Sequence, residues 1–580
     1  MRINDVEKIT GLTAKAIRLY EGKGLITVAR DGNGYRNYSD KNVEDLKTVR
    51  LLRSVGASLT DIKLLLFGVI DIGELMEKRK AEILKESGSN SERYRLCLDI
   101  AEKGCACIEG DTAFTEGEEG AADTGGAVCV GIDLGTTTVS GAVYCIASGR
   151  QAESYSLPHN SYVSAGDCRE QSVTLILNKA RKLLDHILNT YTEVSSIGIT
   201  GQMHGIVYLN KEGSPVSNLI NWQDKRGDKP LDTNKTACEE IYCITGEKIA
   251  TGYGICTHYY NMRTGNVPKD ATAICTVMDL FGMEICGNKR AVTHASVAAS
   301  LGLFDTEKSE FMWDKLSLLG ISDSLLPRVV GDSAILGEYR GIPVSVPIGD
   351  NQASFLGSVR HNSDTMLVNI GTGSQVSAVS DYCRVSGDTE IRPFIEGKYL
   401  ICGSALCGGF AYSMLEEFFR SYAVSIGAED TYQYKIINRL ASEAYERGEK
   451  GLSVDTSFLG KRSDPSVRGK IEGIDGENLT PSALALGVLK GMCNELYSLY
   501  SAFPVKKSKI ISSGGAVRKN PLLTRLLSER FGMEVSVSPL REEASTGAAL
   551  FSALATGKVI YENGVFQYAK DNKGEQYGRY

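Results

Sequence analysis

No apolar run in these 580 residues approaches the roughly 20 that a bilayer span requires, so a membrane-spanning protein is not expected. The opening residues, MRINDVEKITG, are polar and charged and lack the apolar core of a secretory leader, so the expected location is the cytoplasm. A dense disulfide framework is missing too. The fifteen cysteines are scattered along a long chain and read as reduced thiols, many of them core residues. Nor is there a basic surplus. A formal charge of −7 excludes a protein that coats nucleic acid over its whole surface. Residues 1–60 nevertheless hold eleven Lys/Arg against seven Asp/Glu, a local +4 that leaves −11 for the remainder. A basic head on an acidic body is the asymmetry expected when only the head meets phosphate.

Length and texture divide the chain. At about 100–200 residues per domain, three or four domains are expected. Residues 1–70 alternate short helical patterns with one Gly/Asn-rich turn, RDGNGYRNYS. Residues 71–103 are charged and helical in pattern, broken by SGSNS. Residues 104–126 hold six acids and six glycines with no Lys or Arg, which makes a flexible, self-repelling linker. From Ala127 onward apolar strands ending in Gly/Thr turns alternate with helical stretches, the α/β pattern.

In the head, INDVEKITG places Ile3, Val6 and Ile9 on one helical face. Thr13 is the expected N-cap of a second helix, AKAIRLYEGKG, which shows Lys15 and Arg18 outward and turns Ile17 and Tyr20 inward. DGNG at 31–34 is a hairpin signal followed by Tyr35, Arg36 and Tyr38. Helix, turn, helix and basic hairpin make a winged helix-turn-helix, with the second helix for the major groove and the wing for the backbone. TAKAIRLYEGKGLI, NGYRNYS and LLRSVGASLTDIKLLL resemble the MerR family of transcriptional regulators. That resemblance implies promoter DNA as partner, contacted by Thr13, Lys15, Arg18, Tyr20, Tyr35 and Arg36, and a homodimer paired through a helix within 71–103. Cys105 and Cys107, in the linker with no nearby His, read as inert thiols rather than metal ligands.

In the body, VCVGIDLGTTTVSGAV (128–143) is a strand turning at Gly135. Asp133 stands at its end, where it can hold Mg²⁺ through water, and Gly135, Thr136, Thr137 and Thr138 can cradle phosphate oxygens. LVNIGTGSQVSA repeats the device with Gly371, Thr372, Gly373 and Ser374, as two facing lobes with a nucleotide between them require. KIISSGGAVRKNPLL runs a strand into Gly514 and Gly515, then a helix with Asn520, suited to an adenosine and its phosphates. REEASTGAALF reads as a helix with small residues on a packing face.

Together these stretches resemble the FGGY family of carbohydrate kinases over about residues 127–556. The implied fold is α/β: a two-lobed actin/hexokinase-like (ribonuclease H-like) kinase, lobes 127–359 and 360–580, preceded by the small α-helical winged helix-turn-helix. The implied cofactors are ATP and Mg²⁺. In PIGDNQASFLGS the resemblance makes Asp350 the base that takes the hydroxyl proton, with Asn351 and Gln352 beside the sugar. It assigns Gln202, Met203 and His204 of GITGQMHGIVYLN, and Trp222, Asp224 and Arg226 of NLINWQDKRGD, to a ketose. Gly408 and Gly409 fall where the nucleotide pocket has its other wall. FLGKRSDPSVRGKIEGI keeps the outline of a family motif in Gly460, Arg462, Pro465, Arg468 and Gly469, readable as a loop over the cleft or as direct contact. Val139-Ser140-Gly141 stands where a basic residue is often found. ATGYGICT and THASVAASLGLFDTEKSEFMW look more like sedoheptulokinase than xylulokinase. Three readings remain: an active ketose kinase with its own DNA-binding arm, a sugar sensor with little turnover, and an enzyme whose head serves as a tether. The intact catalytic set favours the first.

Overall fold

The computed structural model describes residues 1–26, 28–30, 36–66, 69–87, 97, 100–101, 126–164, 166–360, 363–384, 386–428, 430–462, 464, 466–562 and 565–568. The chain divides into two compact units, residues 1–123 with 419–433 and residues 124–418 with 434–580.

In the first unit, α1 (Ile3–Thr10) and α2 (Ala14–Gly22) form a helix-turn-helix. Gly11 closes α1 in the left-handed conformation at φ 67°, and Thr13 Oγ1 accepts from Ala16 N at 3.2 Å to cap α2. Glu7 Oε1 accepts a further free N–H of α2, that of Ala14, at 2.5 Å. A short hairpin of β1 (Ala29–Arg30) and β2 (Arg36–Asn37) follows, then α3 (Asp40–Ser54), α4 (Leu59–Leu66) and α5 (Ile72–Ser87). Val6, Ile17, Leu46, Val49, Leu52, Ile62 and Leu64 are buried in this unit.

Lys15 and Arg18 are exposed on α2. Arg36 lies on β2 with its Nε 2.6 Å from Glu21 Oε2, so part of its charge is already answered. Two expectations change. Ile9 is 47% exposed, because Thr10, four residues on from Val6, takes the inward position of the last turn. Tyr20, counted among the DNA-contacting residues, is only 3% exposed: one turn beyond Ile17, it packs into the core and presents nothing to a groove. Tyr35, the hairpin tip at 31–34, Cys105, Cys107, Pro465 and the linker up to residue 125 lie outside the described residues.

The second unit holds two six-stranded sheets of one plan. In the first, β3 (Val128–Leu134), β4 (Thr138–Cys145) and β5 (Arg150–Pro158) form an antiparallel meander. Helix α6 (Val173–Thr190) then crosses to β6 (Val194–Gly201), parallel to β3. After α7 (Gly254–Thr264) and α8 (Ala295–Ser300), β7 (Ile335–Tyr339) and β8 (Ile342–Ser345) complete the order β7-β8-β6-β3-β4-β5. VCVGIDL is buried on both faces, which explains its nearly continuous apolar run. Helix α9 (Asp350–Ser358) leads to the second sheet.

There β9 (Thr365–Ile370), β10 (Ser374–Ser380), β11 (Thr389–Pro393) and β12 (Tyr399–Ala405) are antiparallel neighbours in the order β9-β10-β12-β11. Helices α10 (Gly409–Ser425) and α11 (Pro481–Ser501) precede β13 (Lys509–Ser513), and α12 (Gly515–Lys519) and α13 (Pro521–Phe531) precede β14 (Glu534–Val537). Both of these strands run parallel, β13 beside β9 and β14 beside β13. Among the described residues no helix is long and apolar enough to cross a membrane, and the cysteines are free.

The chain then returns. Helix α14 (Glu543–Ala555) packs on β3, β6 and α9, far from it in sequence. Glycines make this approach possible. A Cβ on Gly131 of β3 would lie 1.8 Å from Ser545 O, and one on Gly198 of β6 1.9 Å from Ala548 O. Between helices, a Cβ on Gly547 would meet Ala353 O at 1.7 Å, and one on Gly357 would meet Glu543 O at 2.2 Å. All four obstacles are backbone, which cannot swing aside. We predict that Gly547→Ala destabilises the protein by on the order of 3 kcal/mol, read as a fall in denaturant midpoint. Gly476→Ala, in a loop where an added Cβ meets nothing within 4 Å, serves as the neutral control.

Candidate active site

Asp350 is the first residue of α9, with Gly349 as its N-cap, so its carboxylate sits at the positive end of the helix dipole. Asn351 Nδ2 donates to Asp350 Oδ1 at 2.8 Å and lies 3.9 Å from Met203 Sδ. The turn before it is fixed from both sides: Gly349 N donates to Ser296 Oγ at 3.0 Å, and Thr200 Oγ1 to Ile348 O at 2.8 Å. Gln352 is fully buried, with Nε2 on Pro393 O at 2.9 Å and Oε1 without a partner among the described residues. Burial raises the Asp350 carboxyl above its ordinary range, against Arg392 and Asn351, which pull it down.

Asp133, at the end of β3, pairs in register with Thr200 of β6. Its carboxyl is pushed up to about 8, first by burial and then by the charges of Asp350 and Glu542. A carboxylate held among like charges gains from a cation, so the cleft fits Mg²⁺ near Asp133. Among the described residues no three His, Cys, Asp or Glu side chains converge tightly enough to ligate a metal directly.

The first hairpin is anchored through its carbonyls. Gly135 O accepts from Gln202 Nε2 at 3.3 Å and lies 3.1 Å from His159 Nε2. Thr136 O takes Gln171 Nε2 at 2.8 Å, and Thr137 O takes His159 N at 3.1 Å. With the carbonyls engaged, the hydroxyls and N–H groups of Gly135–Thr138 are what remain for an anion. The second hairpin is held likewise. Gly371 O and Thr372 O accept from Gly409 N and Phe410 N at 2.8 and 2.9 Å, and a Cβ on Gly408 would strike Gly373 O at 2.4 Å. Gly408 and Gly409 therefore brace the hairpin of Gly371, Thr372, Gly373 and Ser374. Gly514 takes φ 95° and lies against Ile370 O, while an added Cβ on Gly515 would meet open space. Asn520 turns elsewhere: its Oδ1 caps α13 by accepting Leu522 N at 3.2 Å, and its Nδ2 donates to Asn438 Oδ1 at 3.1 Å.

On the first lobe His204 stands at φ 71°, with Nδ1 2.7 Å from Ser300 O and its ring 4.4 Å from that of Tyr253. A carbonyl only accepts, so Nδ1 carries the proton and Nε2 keeps a lone pair. Burial, and then Arg392, lower His204 to about 4, so it is neutral at pH 7. Gln202 Oε1 is buried without a hydrogen-bond partner among the described residues. Trp222 is 45% exposed, with its Nε1 on Thr136 Oγ1 at 3.0 Å. Asp224 and Arg226 are spent on each other: Asp224 Oδ1 accepts Arg226 Nε at 2.8 Å and Oδ2 accepts Arg226 Nη2 at 3.0 Å, with Arg169 N on Oδ2 at 2.8 Å. Asp224 is fully buried, and Arg226 reaches away to Glu170 and Asn261.

Sequence reasoning missed His159, Gln171, Ser300, Glu390, Arg392 and Glu542. A signal existed for one pair. TEIRP sets two charges at alternate positions of a strand, which puts both on one face.

Family models match three stretches: the MerR HTH family regulatory protein at residues 1–67, and the N-terminal and C-terminal domains of the FGGY family of carbohydrate kinases at residues 128–357 and 366–556. The chain belongs to the FGGY family, with a MerR-type head. The sedoheptulokinase of Mus musculus is 25% identical over 478 residues, covering 73% of this chain and 96% of that protein. The xylulose kinase of Staphylococcus xylosus is 24% identical over 454 residues, covering 74% and 91%. The solved gluconate kinase of Lactobacillus acidophilus superposes with a TM-score of 0.65 at 18% identity, over 77% of this chain and 93% of that one. In this FGGY kinase the two matched domains meet at α9, where Asp350 stands.

The Asp133 shift has a sign that can be tested. Between the ordinary carboxylate value and about 8 the folded protein binds more protons than the unfolded one, so this group costs stability increasingly as pH rises. We predict that Asp133→Asn raises the melting temperature of the ligand-free protein by a few degrees at pH 8 and by progressively less toward pH 5, measured by calorimetry.

Proposed function

We propose that this FGGY kinase transfers the γ-phosphoryl group of ATP to a primary hydroxyl of a ketose. Sedoheptulose is favoured and xylulose or another pentulose is next. The observation that carries the reading is Asp350: a carboxylate fixed at a helix start, beside His204 elements on one lobe and charges from the other. Asp350 takes the hydroxyl proton as the oxygen attacks in line. His204 Nε2 and the orphaned Gln202 Oε1 accept sugar hydroxyls, Trp222 offers an apolar face, and Met203, Asn351 and Gln352 shape the floor. The hairpins at Gly135–Thr138 and Gly371–Ser374 receive phosphate oxygens, and Gly514 and Gly515 let the adenosine lie close. Asp133 is the residue placed to hold Mg²⁺ through water, and that ion supplies neutralising charge for the transferred group. Asp224, Arg226 and Asn520 act by position, fixing the Trp222 loop and the start of α13. The sugar preference is supported by the sedoheptulokinase and xylulose kinase relatives, 24–25% identical, and by the ATGYGICT and THASVAAS stretches.

The head is proposed to carry this kinase to promoter DNA as a homodimer in the cytoplasm, with Lys15 and Arg18 facing the groove. The alternative, a sugar sensor with little turnover, predicts decay of the catalytic set, yet Asp133, Asp350 and both hairpins are intact. The test is coupled-assay turnover of ATP with sedoheptulose, xylulose, ribulose and glycerol. The expected result is turnover with the highest kcat/KM on sedoheptulose. Saturable sugar binding with no turnover on any of the four would establish the sensor instead. For the head, Arg18→Ala is expected to weaken retardation of promoter DNA and lower the salt slope by about 1. Unchanged retardation contradicts the assignment.

A further inference from the structure

Strand β11 brings charge to the cleft from the second lobe. Glu390 and Arg392, two residues apart, share one face of it. Arg392 Nη2 donates to Glu390 Oε2 at 2.7 Å, and Arg462 Nη1 donates to the other oxygen, Oε1. One carboxylate is thus shared by two guanidinium groups. Arg392 is 9% exposed, and its Nη1 has no hydrogen-bond partner among the described residues. Leaving a buried donor unmet is unfavourable by an amount comparable to a lost hydrogen bond, so the position calls for an acceptor from outside.

Two contacts place the strand that carries Arg392 beside the sugar site. Gln352, two residues on from Asp350, donates to the carbonyl of Pro393, the neighbour of Arg392. Helix α8, whose Ser300 fixes His204, packs on β11. The Arg392 charge is felt at His204, Asp350 and Tyr253. Around this space the unmatched groups divide by kind. Gln202 Oε1, Gln352 Oε1 and the His204 Nε2 lone pair accept, and Arg392 Nη1 donates. Several acceptors and a donor suit a polyol that also bears a carbonyl. Asp350 and Glu390 match Arg392 and Arg462 in number, so the surroundings offer no surplus positive charge to a substrate carrying a negative charge of its own.

We propose that Arg392 is a specificity-determining residue that donates from Nη1 to the carbonyl oxygen of the ketose, with Glu390 and Arg462 holding the guanidinium in place. This rests on the ketose-kinase reading. It makes the sugar site a product of both lobes, with the strand beside β12 reading the substrate's oxidation state.

The test compares wild type, Arg392→Gln and Arg392→Lys on the best ketose, on the alditol in which its carbonyl is reduced, and on the aldonate of equal length. Arg392→Gln is expected to raise the ketose KM about tenfold or more and leave the ATP KM unchanged. The ketose-over-alditol ratio of kcat/KM is expected to collapse, because a site built to bond a polar group discriminates through it. Arg392→Lys is expected to retain part of that ratio, and it is the variant to read where Arg392→Gln fails to fold. An unchanged ketose KM, or equal losses on ketose and alditol, overturns the proposal. So does a wild-type preference for the aldonate. Where wild type turns over no sugar the kinase reading fails separately, and calorimetric titration decides this one: loss of ketose-over-alditol binding preference in Arg392→Gln supports it, and an unchanged preference overturns it.

Discussion

The contact on which the kinase depends is the backbone-to-backbone approach of α14 to β3, β6 and α9. Gly131, Gly198, Gly357 and Gly547 remove every Cβ that would hold these elements apart. The consequence is positional. The Asp133 strand and the Asp350 helix are each clamped by the same late helix, and Glu542, at its N-cap, brings a further carboxyl group whose charge is felt at Asp133. Residues more than 400 positions apart in sequence are therefore set at one site by packing that leaves no room for adjustment.

The acids of the cleft assembled in this way shift in opposite directions. Asp133 is pushed up to about 8 by burial and then by the charges of Asp350 and Glu542, and burial raises Asp350. Glu390 goes the other way, down to about 2, because Arg392 and Arg462 outweigh its burial. The acid facing two arginines is held charged and holds them in turn, whereas the one at the helix start is raised.

Much of this was legible in the chain because it is local. A Gly-Thr turn after an apolar strand, a Gly-Asp-Asn step into a helix and a Thr cap before AKAIRLY each specify backbone from a few adjacent residues. The small residues of EASTGAAL were readable as a packing face, and Ala548 and Ala549 are fully buried. That the surface they meet belongs to the first sheet was not readable, since nothing within a helix names its partner. The same limit hid Glu390 and Arg392, whose meaning depends on Asp350 and His204 arriving from another lobe. Asp224 and Arg226 were visible as polar residues on a loop, but their mutual pairing shows only in three dimensions. Tyr20 belonged to the core by helical spacing, and the spacing prevailed over its place in a DNA-reading motif. Asn520 stands before Pro521, a helix-start signal that explains its cap.

Asp350 is proposed to act as the base of a sugar phosphotransfer and not merely to shape the turn. The direct measurement pairs calorimetric sugar binding with transfer of labelled γ-phosphoryl in Asp350→Asn, which keeps the size of the side chain. Ketose affinity is expected within a few-fold of wild type and the transfer rate lower by about 10²–10⁴. Transfer at the wild-type rate by a variant that binds sugar normally would contradict it.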